Sequence, residues 1–388
     1  MRILFASDSF KGALTSSETI TLLKSAAEKV FPDCETIGVP VADGGEGTTE
    51  AVVKATGGSI VSVKVHGPLM EEETAYYGAL SGGRAVFEMA SASGLPLVPR
   101  NQRNPMKATS YGTGELMSRV LDDGYRKISV AVGGSATNDG GMGFASALGV
   151  RFLDKDGNVL AGTGENLIKI RNIDVSGIKP ELKDAEISVM CDVRNPLCGP
   201  EGASRVYGPQ KGARGRMIEE LEAGMENYRD VVKRQFGIDL DECPGSGAAG
   251  GLSSALMVFA GAKLCSGIDS VLDLIGFDKL LEGTDLCITG EGRTDRQSAY
   301  GKVLQGVGDR AKAHGVPVIA LSGSVGEGYY EILSHGIDAV LTTVDRQMTL
   351  SDALREAGDM YSRAAEMMFR TVKTGMDIQK RLSEKKLI

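Results

Sequence analysis

Short apolar runs alternate with segments of helical pattern at both ends of this chain. The apolar runs have the length of buried strands and lie at residues 3–6, 36–41, 286–289, 316–321 and 339–342. Helices are predicted between and after them, at residues 16–30, 48–55, 302–313, 329–334 and 351–371. Thr15 and Glu18 have the spacing of a capping box, which supports the start of the first helix. This alternation predicts a parallel sheet covered by helices.

The middle of the chain has a different pattern. Residues 60–65, 73–80 and 85–89 alternate apolar and polar positions, with Gly-Pro and Gly-Gly turns between them, which predicts an antiparallel meander. The whole pattern predicts an α/β fold: a Rossmann-like parallel-sheet domain built from residues 1–60 and 283–388, with residues 61–282 inserted as a second, mixed α/β domain. The active site is then expected in the cleft between the domains. A single sheet for all 388 residues is the alternative that the pattern supports less.

Four glycine-containing loops follow predicted strands, and each carries an acidic residue; the strand before the third loop is predicted at residues 128–132. They span residues 8–12, 43–49, 133–143 and 290–295. Backbone N–H groups at such turns bind anions, and the ligands of open α/β sheets lie outside the carboxyl ends of strands. Four loops of this kind predict a site for an anion and a divalent metal. In the third loop the candidate phosphate contacts are Gly133, Gly134, Ser135, Asn138, Gly140 and Gly141.

Each loop also has an interpretation that needs no ligand. The loop 133–143 could be a plain turn from strand to helix, although Asn138 and Asp139 would then be unneeded. Asp43 could cap the helix that follows it. Arg293 could form a surface salt bridge with a neighbouring acid.

Composition narrows the classes of partner. The net charge of −8 argues against nucleic acid as a general partner, so an anionic substrate would have to be held by local basic groups. No apolar run is long enough to span a membrane, and the chain has no signal peptide, so we expect a cytoplasmic protein. Six cysteines without a C-x-x-C pair favour reduced thiols. Three histidines, all outside the glycine loops, argue against a histidine-based zinc site or a Ser-His-Asp triad.

Residues 245–250 match the pattern G-x-G-x-x-G of dinucleotide-binding proteins. That pattern requires a strand directly before it, and the sequence predicts none there. The start of a helix at residues 252–259, with Gly247 and Gly250 facing a phosphate, is the better interpretation. Close packing of the helix without any ligand is an equally good one.

Further charged residues stand at predicted loops. The stretch 205–216 contains four basic residues and no acid, and residues 208–212 form a rigid turn that could aim Lys211 at a carboxylate or phosphate. Asp192 follows the predicted strand 187–191, which makes it a candidate proton acceptor or metal ligand. Alternatively, Asp192 caps the turn before Pro196.

Seven segments, taken together and in order, resemble the bacterial glycerate kinase family of the glyoxylate and glucarate catabolism type. They are residues 8–12, 40–48, 133–143, 195–199, 207–213, 245–251 and 289–298, and only the C-terminal tail lies outside the resemblance. The resemblance implies a glycerate kinase I type fold and ATP-dependent phosphorylation of D-glycerate. It favours 2-phosphoglycerate over 3-phosphoglycerate as the product.

Phosphoryl transfer requires mainly positioning and charge neutralisation, and we assign the candidate residues on that basis. Gly133, Gly134, Ser135, Asn138, Gly140, Gly141, Gly247 and Gly250 are expected to bind ATP. Asp8, Lys11, Lys211 and Arg293 are expected to bind D-glycerate. Mg²⁺ is expected on carboxylates from Asp43, Asp139, Asp192 or Asp295. Asp192, with Asp43 as the alternative, is the expected proton acceptor, and Lys11 and Arg293 complete the catalytic set.

Three other functions remain open from the residues themselves. They are a kinase of another small hydroxy acid, a non-catalytic sensor of sugar acids, and a hydroxy-acid oxidoreductase. The oxidoreductase would need a strand before Gly245. The sensor would leave unexplained why Asp43, Asp139, Asp192 and Asp295 all stand beside glycine or turn residues. The sequence sets no oligomeric state.

Overall fold

The computed structural model describes residues 1–385 and divides the chain into two compact units. Unit 1 contains both ends of the chain, residues 1–43 and 271–388, and unit 2 contains residues 44–270. The boundaries fall after residues 43 and 270, whereas the sequence pattern places them after residues 60 and 282. The helix after the second strand therefore belongs to the inserted unit.

The elements alternate along most of the chain. The strands are β1 (Arg2–Ser7), β2 (Glu35–Gly38), β3 (Ser59–His66), β4 (Glu72–Leu80), β5 (Arg84–Glu88), β6 (Lys127–Ala131), β7 (Arg151–Leu153), β8 (Asn172–Asp174), β9 (Glu186–Met190), β10 (Lys263–Cys265), β11 (Leu286–Gly290), β12 (Arg293–Thr294), β13 (Val318–Ser322), β14 (Ser324–Val325) and β15 (Ala339–Thr342). The α-helices are α1 (Ser16–Val30), α2 (Thr48–Thr56), α3 (Ala90–Ser93), α4 (Tyr111–Asp122), α5 (Met142–Ala147), α6 (Ala203–Tyr207), α7 (Arg216–Phe236), α8 (Leu252–Ala260), α9 (Gly267–Ile275), α10 (Phe277–Leu281), α11 (Val303–Ala313), α12 (Leu350–Arg355) and α13 (Ala357–Lys385). Short 3₁₀ turns connect several of them.

Unit 1 is built on a five-stranded parallel sheet with the order β15-β13-β11-β1-β2. β1 lies between β2 and β11. The strand that follows β1 in sequence is therefore on one side of it, and the strands from the C-terminal part of the chain are on the other. Ala6 of β1 pairs with Thr289 of β11, which aligns the carboxyl ends of these two strands. In open α/β sheets, the point where the strand order reverses leaves a crevice outside the carboxyl ends of the strands. The crevice of unit 1 is therefore expected beside Asp8 and Glu291.

Helices α1 and α13 pack against each other in unit 1, and both contribute residues to its hydrophobic core. Thr15 and Glu18 form the predicted capping box at the start of α1. Phe5 on β1 approaches Phe369 on α13 with ring centroids 6.3 Å apart, so the sheet and the C-terminal helix are packed together.

The segment predicted as one helix over residues 351–371 is two helices, α12 and α13. α13 continues as far as Lys385, and residues 386–388 lie outside the described part of the chain. No helix within residues 1–385 combines the length and the apolar character needed to cross a bilayer.

Unit 2 contains a six-stranded mixed sheet with the order β10-β9-β6-β5-β4-β3. β3, β4 and β5 form the predicted antiparallel meander, and β5, β6, β9 and β10 run parallel. The carboxyl ends of the four parallel strands lie at one edge, and the loop 133–143 and Asp192 follow two of them. Both sheets together confirm the predicted α/β class with a Rossmann-like unit made from both chain ends.

Candidate functional site

A cavity of about 480 Å³ opens within unit 1 at the carboxyl edge of its sheet. Four residues that the sequence singles out line it: Asp8, Lys11, Asp43 and Arg293. The remaining lining comes mainly from the loops after β11, β13 and β15 and from α12 and α13, and comprises Ser9, Phe10, Ala13, Glu291, Gly292, Lys302, Gly323, Ser324, Thr343, Val344, Leu350, Ala353, Leu354, Ala357 and Met360. The cavity lies where the strand order reverses, as expected for a ligand site.

Two of the carboxylates in this cavity influence one another. Burial and the negative charge of Asp43 together raise the pKa of Asp8 to about 6. The backbone N–H of Ser9, which donates to Asp8 Oδ1 at 2.6 Å, and the charge of Lys11 act in the opposite direction. Asp8 and Asp43 are thus a close carboxylate pair with a cation nearby.

Glu291 is a third carboxylate of the cavity, and the sequence assigns it no role. It is buried, and it accepts hydrogen bonds from Thr294 Oγ1 at 3.1 Å and from Ser298 Oγ. Burial raises the pKa of Glu291, and the nearby charge of Lys302 opposes that shift. Lys302 was not predicted as a site residue either. The one feature that could have indicated it is its position at the N-cap of α11, directly after a glycine.

Three cations line the same cavity, namely Lys11, Arg293 and Lys302. Arg293 is mostly exposed, and its Nε lies 3.6 Å from Asp295 Oδ2. Asp295 does not line the cavity; its Oδ1 accepts from the Gln297 N–H at 3.0 Å and caps the 3₁₀ turn at Arg296–Ala299. Asp295 is therefore placed as a cap and an ion-pair partner, rather than as the metal ligand that the sequence predicts.

Most of the loop 133–143 is buried in the interior of unit 2. Asp139 is fully buried, and its oxygens accept from Ser110 N–H and Ser110 Oγ at 2.8 Å and from the N–H groups of Gly141 and Gly143 at 3.0 and 3.2 Å. Burial raises the pKa of Asp139, and these hydrogen bonds oppose the shift. The carboxylate is thus committed to its own loop rather than to the metal ion that the sequence predicts for it.

Lys211 is also an interior residue. Its side chain is 2% exposed, and its Nζ donates to Ser135 Oγ and to the Thr137 carbonyl oxygen, both at 2.7 Å. Burial lowers the pKa of Lys211 to about 7, against the opposing charge of Asp139. The predicted contact of Lys211 with D-glycerate is therefore replaced by a contact with the glycine loop.

The segment 245–251 packs directly on that loop. The Gly140 N–H donates to the Gly250 carbonyl at 3.0 Å, and a Cβ on Gly250 would lie 1.9 Å from the Thr137 carbonyl oxygen. The N–H of Gly247 donates to the Asn195 carbonyl at 3.1 Å, and that of Gly141 to Asp139. The N–H groups of Gly140, Gly141 and Gly247 are therefore used internally. Close packing explains this glycine-rich segment better than the predicted phosphate binding.

The polar side chains of the same loop are buried too. Ser135 and Asn138 are shielded from solvent, and Asn138 Nδ2 donates to Ser204 Oγ at 3.0 Å. Gly133 and Gly134, by contrast, are exposed at the carboxyl edge of the unit 2 sheet. Of the predicted ATP contacts in this loop, these two glycines are the ones that solvent reaches.

Asp192 is exposed in the loop after β9. Its Oδ1 accepts from the Gly267 N–H at 2.8 Å, at the first residue of α9. Asp192 thus caps the start of α9. The alternative prediction, that Asp192 caps the turn before Pro196, stays a prediction.

Few protein side chains are placed together as possible ligands of a metal ion. Within residues 1–385, no three or more His, Cys, Asp or Glu side chains are grouped so that they could hold a metal ion. Mg²⁺, however, usually takes one or two carboxylates and completes its shell with water and substrate phosphates. The pair Asp8 and Asp43 fits that requirement.

Comparison with known proteins gives a consistent result. The profile of the glycerate kinase family matches residues 3–373. The chain is 45% identical over 377 residues to a protein named glycerate 2-kinase from Escherichia coli K12, covering 97% of this chain and 99% of that protein. It is 42% identical to a glycerate kinase from Bacillus subtilis 168, covering 96% and 98%. A crystal structure assigned as glycerate kinase 2 from Salmonella typhimurium LT2 superposes with a TM-score of 0.88 at 44% identity, covering 97% and 99%.

Proposed function

This chain belongs to the glycerate kinase family, and we propose that it transfers the γ-phosphoryl group of ATP to a hydroxyl group of D-glycerate. The observation that carries the proposal is the cavity of unit 1, in which three cations and three carboxylates line one volume of about 480 Å³. Phosphoryl transfer needs positioned positive charge around the phosphates and an acid pair for a metal ion.

The cations have the roles that this reaction requires. Lys11, Arg293 and Lys302 would neutralise the phosphates and the carboxylate of the acceptor. The guanidinium group of Arg293 is suited to bidentate binding of either anion. Its exposed position leaves it accessible to a ligand that enters the cavity.

Asp8 and Asp43 would hold Mg²⁺. When bound, the ion would offset the negative charge that develops on the phosphate oxygens. Asp43 belongs to the predicted metal set, and Asp8 joins it because the two carboxylates lie close enough to alter the pKa of Asp8. Asp139 and Asp295 leave that set because their oxygens serve as caps.

We propose Asp192, which the sequence predicts for this role, as the acceptor of the proton of the attacking hydroxyl. Asp43 is the alternative, and of these two residues it is the one that lines the cavity of unit 1. The hydrogen bond from the Gly267 N–H orients the carboxylate of Asp192. The relative from Escherichia coli is named glycerate 2-kinase, which supports 2-phosphoglycerate as the product.

The test is an assay of the full chain with ATP, Mg²⁺ and D-glycerate, followed by phosphorus NMR of the product. We expect a phosphorylated glycerate whose phosphorus couples to a single proton, as attack by O2 requires. Coupling to two protons would mean attack by O3. Turnover only with another hydroxy acid would change the substrate, and absence of both turnover and nucleotide binding would favour the sugar-acid sensor.

A further inference from the structure

The cavity of unit 1 has an apolar side that a small polar acid does not need. Five large apolar side chains, which we call the apolar wall, line it: Phe10, Val344, Leu350, Leu354 and Met360. Leu350 is 76% exposed and Leu354 is 39% exposed, although both belong to the cavity lining. Leaving such side chains in water costs free energy, which an apolar ligand surface would recover.

The size of the cavity also exceeds what D-glycerate fills. Pockets of about 300–1,000 Å³ enclose ligands of drug size, and the cavity of unit 1, at about 480 Å³, falls in that range. D-glycerate is a three-carbon acid that carries a carboxylate and two hydroxyl groups, so it offers the apolar wall almost no surface. A nucleoside triphosphate has both a flat apolar base and a highly charged end.

The charges of the lining are arranged for such a ligand. Lys11, Arg293 and Lys302 supply three positive charges, and Asp8 and Asp43 supply the acid pair for a metal ion on the phosphates. The third acid, Glu291, is engaged by Thr294 and Ser298.

We propose that the apolar wall binds the adenine base and ribose of the phosphoryl donor, so that unit 1 holds the nucleotide. The assignment rests on the proposed function. It also moves donor binding away from the loop 133–143, where the sequence predicts it and where the N–H groups of Gly140 and Gly141 have internal acceptors.

The wall is held in place by local contacts. Thr349 caps α12 by accepting from the Asp352 N–H at 3.2 Å, which sets the position of Leu350 in the first turn. Arg363 on α13 pairs with Asp345 at 3.0 Å, directly after Val344. These contacts hold the apolar wall in place before a ligand binds. Nucleotide binding therefore does not carry the free-energy cost of ordering this segment.

The experiment replaces the wall leucines by a charged residue. Leu350→Asp and Leu354→Asp place a carboxylate where the base would stack; at position 350 an acid also suits the first turn of a helix, which favours folding. Leu333→Asp is the matched control, because Leu333 is 46% exposed on the same unit and does not line the cavity. We expect the KM for ATP to rise about tenfold or more, the KM for D-glycerate to stay within about twofold, and the control to behave as wild type.

Binding of adenosine, measured by ligand-observed NMR, gives a readout that does not depend on turnover. Adenosine should bind the wild-type chain and the Leu333→Asp control, and its affinity should fall about tenfold or more in the two wall variants. A rise in the KM for D-glycerate with an unchanged KM for ATP, or equal adenosine binding by all four proteins, would overturn the proposal. Lack of turnover by the wild type would count against the proposed function alone.

Discussion

Lys211 Nζ lies 2.7 Å from Ser135 Oγ in the interior of unit 2. The same amine donates to the Thr137 carbonyl oxygen, so one side chain fixes two positions of the loop 133–143. Lysine is rarely buried, because removing its charge from water is costly. Hydrogen bonding explains its burial, because the amine supplies a donor to the Thr137 carbonyl oxygen and to Ser135 Oγ within the loop.

We predict that this lysine makes stability depend on pH. The pKa of Lys211 is about 7 in the folded protein and near 10.5 in an exposed lysine, so between these values the unfolded chain binds more protons. Stability therefore rises as pH increases from about 7 to 10, and below pH 7 the cost of the buried charge is present in full. The gain is on the order of 2–4 kcal/mol.

The measurement compares urea unfolding of the wild type and Lys211→Met from pH 6 to 10. Methionine has a similar length and does not titrate. The stability of the wild type relative to the variant should increase with pH across this range. A difference that stays constant would show that the amine keeps its ordinary pKa.

Gly250→Ala should destabilise unit 2 through a direct clash. A Cβ at this position would lie 1.9 Å from the Thr137 carbonyl oxygen, and Gly250 has φ +68°. Gly261→Ala is the control, because Gly261 has φ +62° and nothing lies within 4 Å of its added Cβ. Both variants lose about 1 kcal/mol to backbone strain, and Gly250→Ala should lose a further ~1–3 kcal/mol from overpacking. Equal urea midpoints for the two variants would refute the packing argument.

Asp43→Asn should weaken the binding of Mg²⁺. Because Mg²⁺ takes few protein carboxylates, loss of one should raise the half-saturating Mg²⁺ concentration about tenfold or more. Asp33→Asn, an exposed acid of the same unit, is the control. The stabilisation of the chain by ADP with Mg²⁺, read as a shift in Tm, should fall in parallel. An unchanged Mg²⁺ requirement would exclude Asp43 from the metal site.

Asp192→Asn separates a chemical role from a capping role. Asparagine retains an oxygen that accepts from the Gly267 N–H, so the start of α9 and the Tm should be preserved. Loss of the proton acceptor should lower kcat by about 10²-fold or more. Asp192→Ala, which removes the cap as well, should lower both kcat and Tm. Near-normal turnover of Asp192→Asn would leave the residue with its structural role alone.

The sequence predicted the elements well where local pattern decides them. The capping box of Thr15 and Glu18, the apolar run of β1 and the alternation along β3 to β5 all appear as predicted. Each depends on residues that are close in the chain. The break between α12 and α13 was missed, because the helical pattern continues across Glu356.

The structure brings some of the predicted site residues together in one cavity and buries others, for a physical reason. Asp8, Lys11, Asp43 and Arg293 follow strands of one sheet, and parallel strands bring such positions to a common edge. Glu291 and Lys302 gave only weak local signals, although they line the same cavity. Lys211 and Asp139 stand in sequence contexts typical of ligand contacts, yet both are buried.

The family, the α/β class and the presence of a charged site could be predicted from the amino-acid sequence, because they follow from ordered motifs and hydrophobic periodicity. Which polar groups face a cavity and which satisfy the backbone depends on the three-dimensional fold. Asp139, Lys211 and Gly250 meet their partners across separations of 29, 76 and 110 or more residues. Whether an N–H group or a carboxylate is available to a ligand depends on those distant partners, and no local pattern records them.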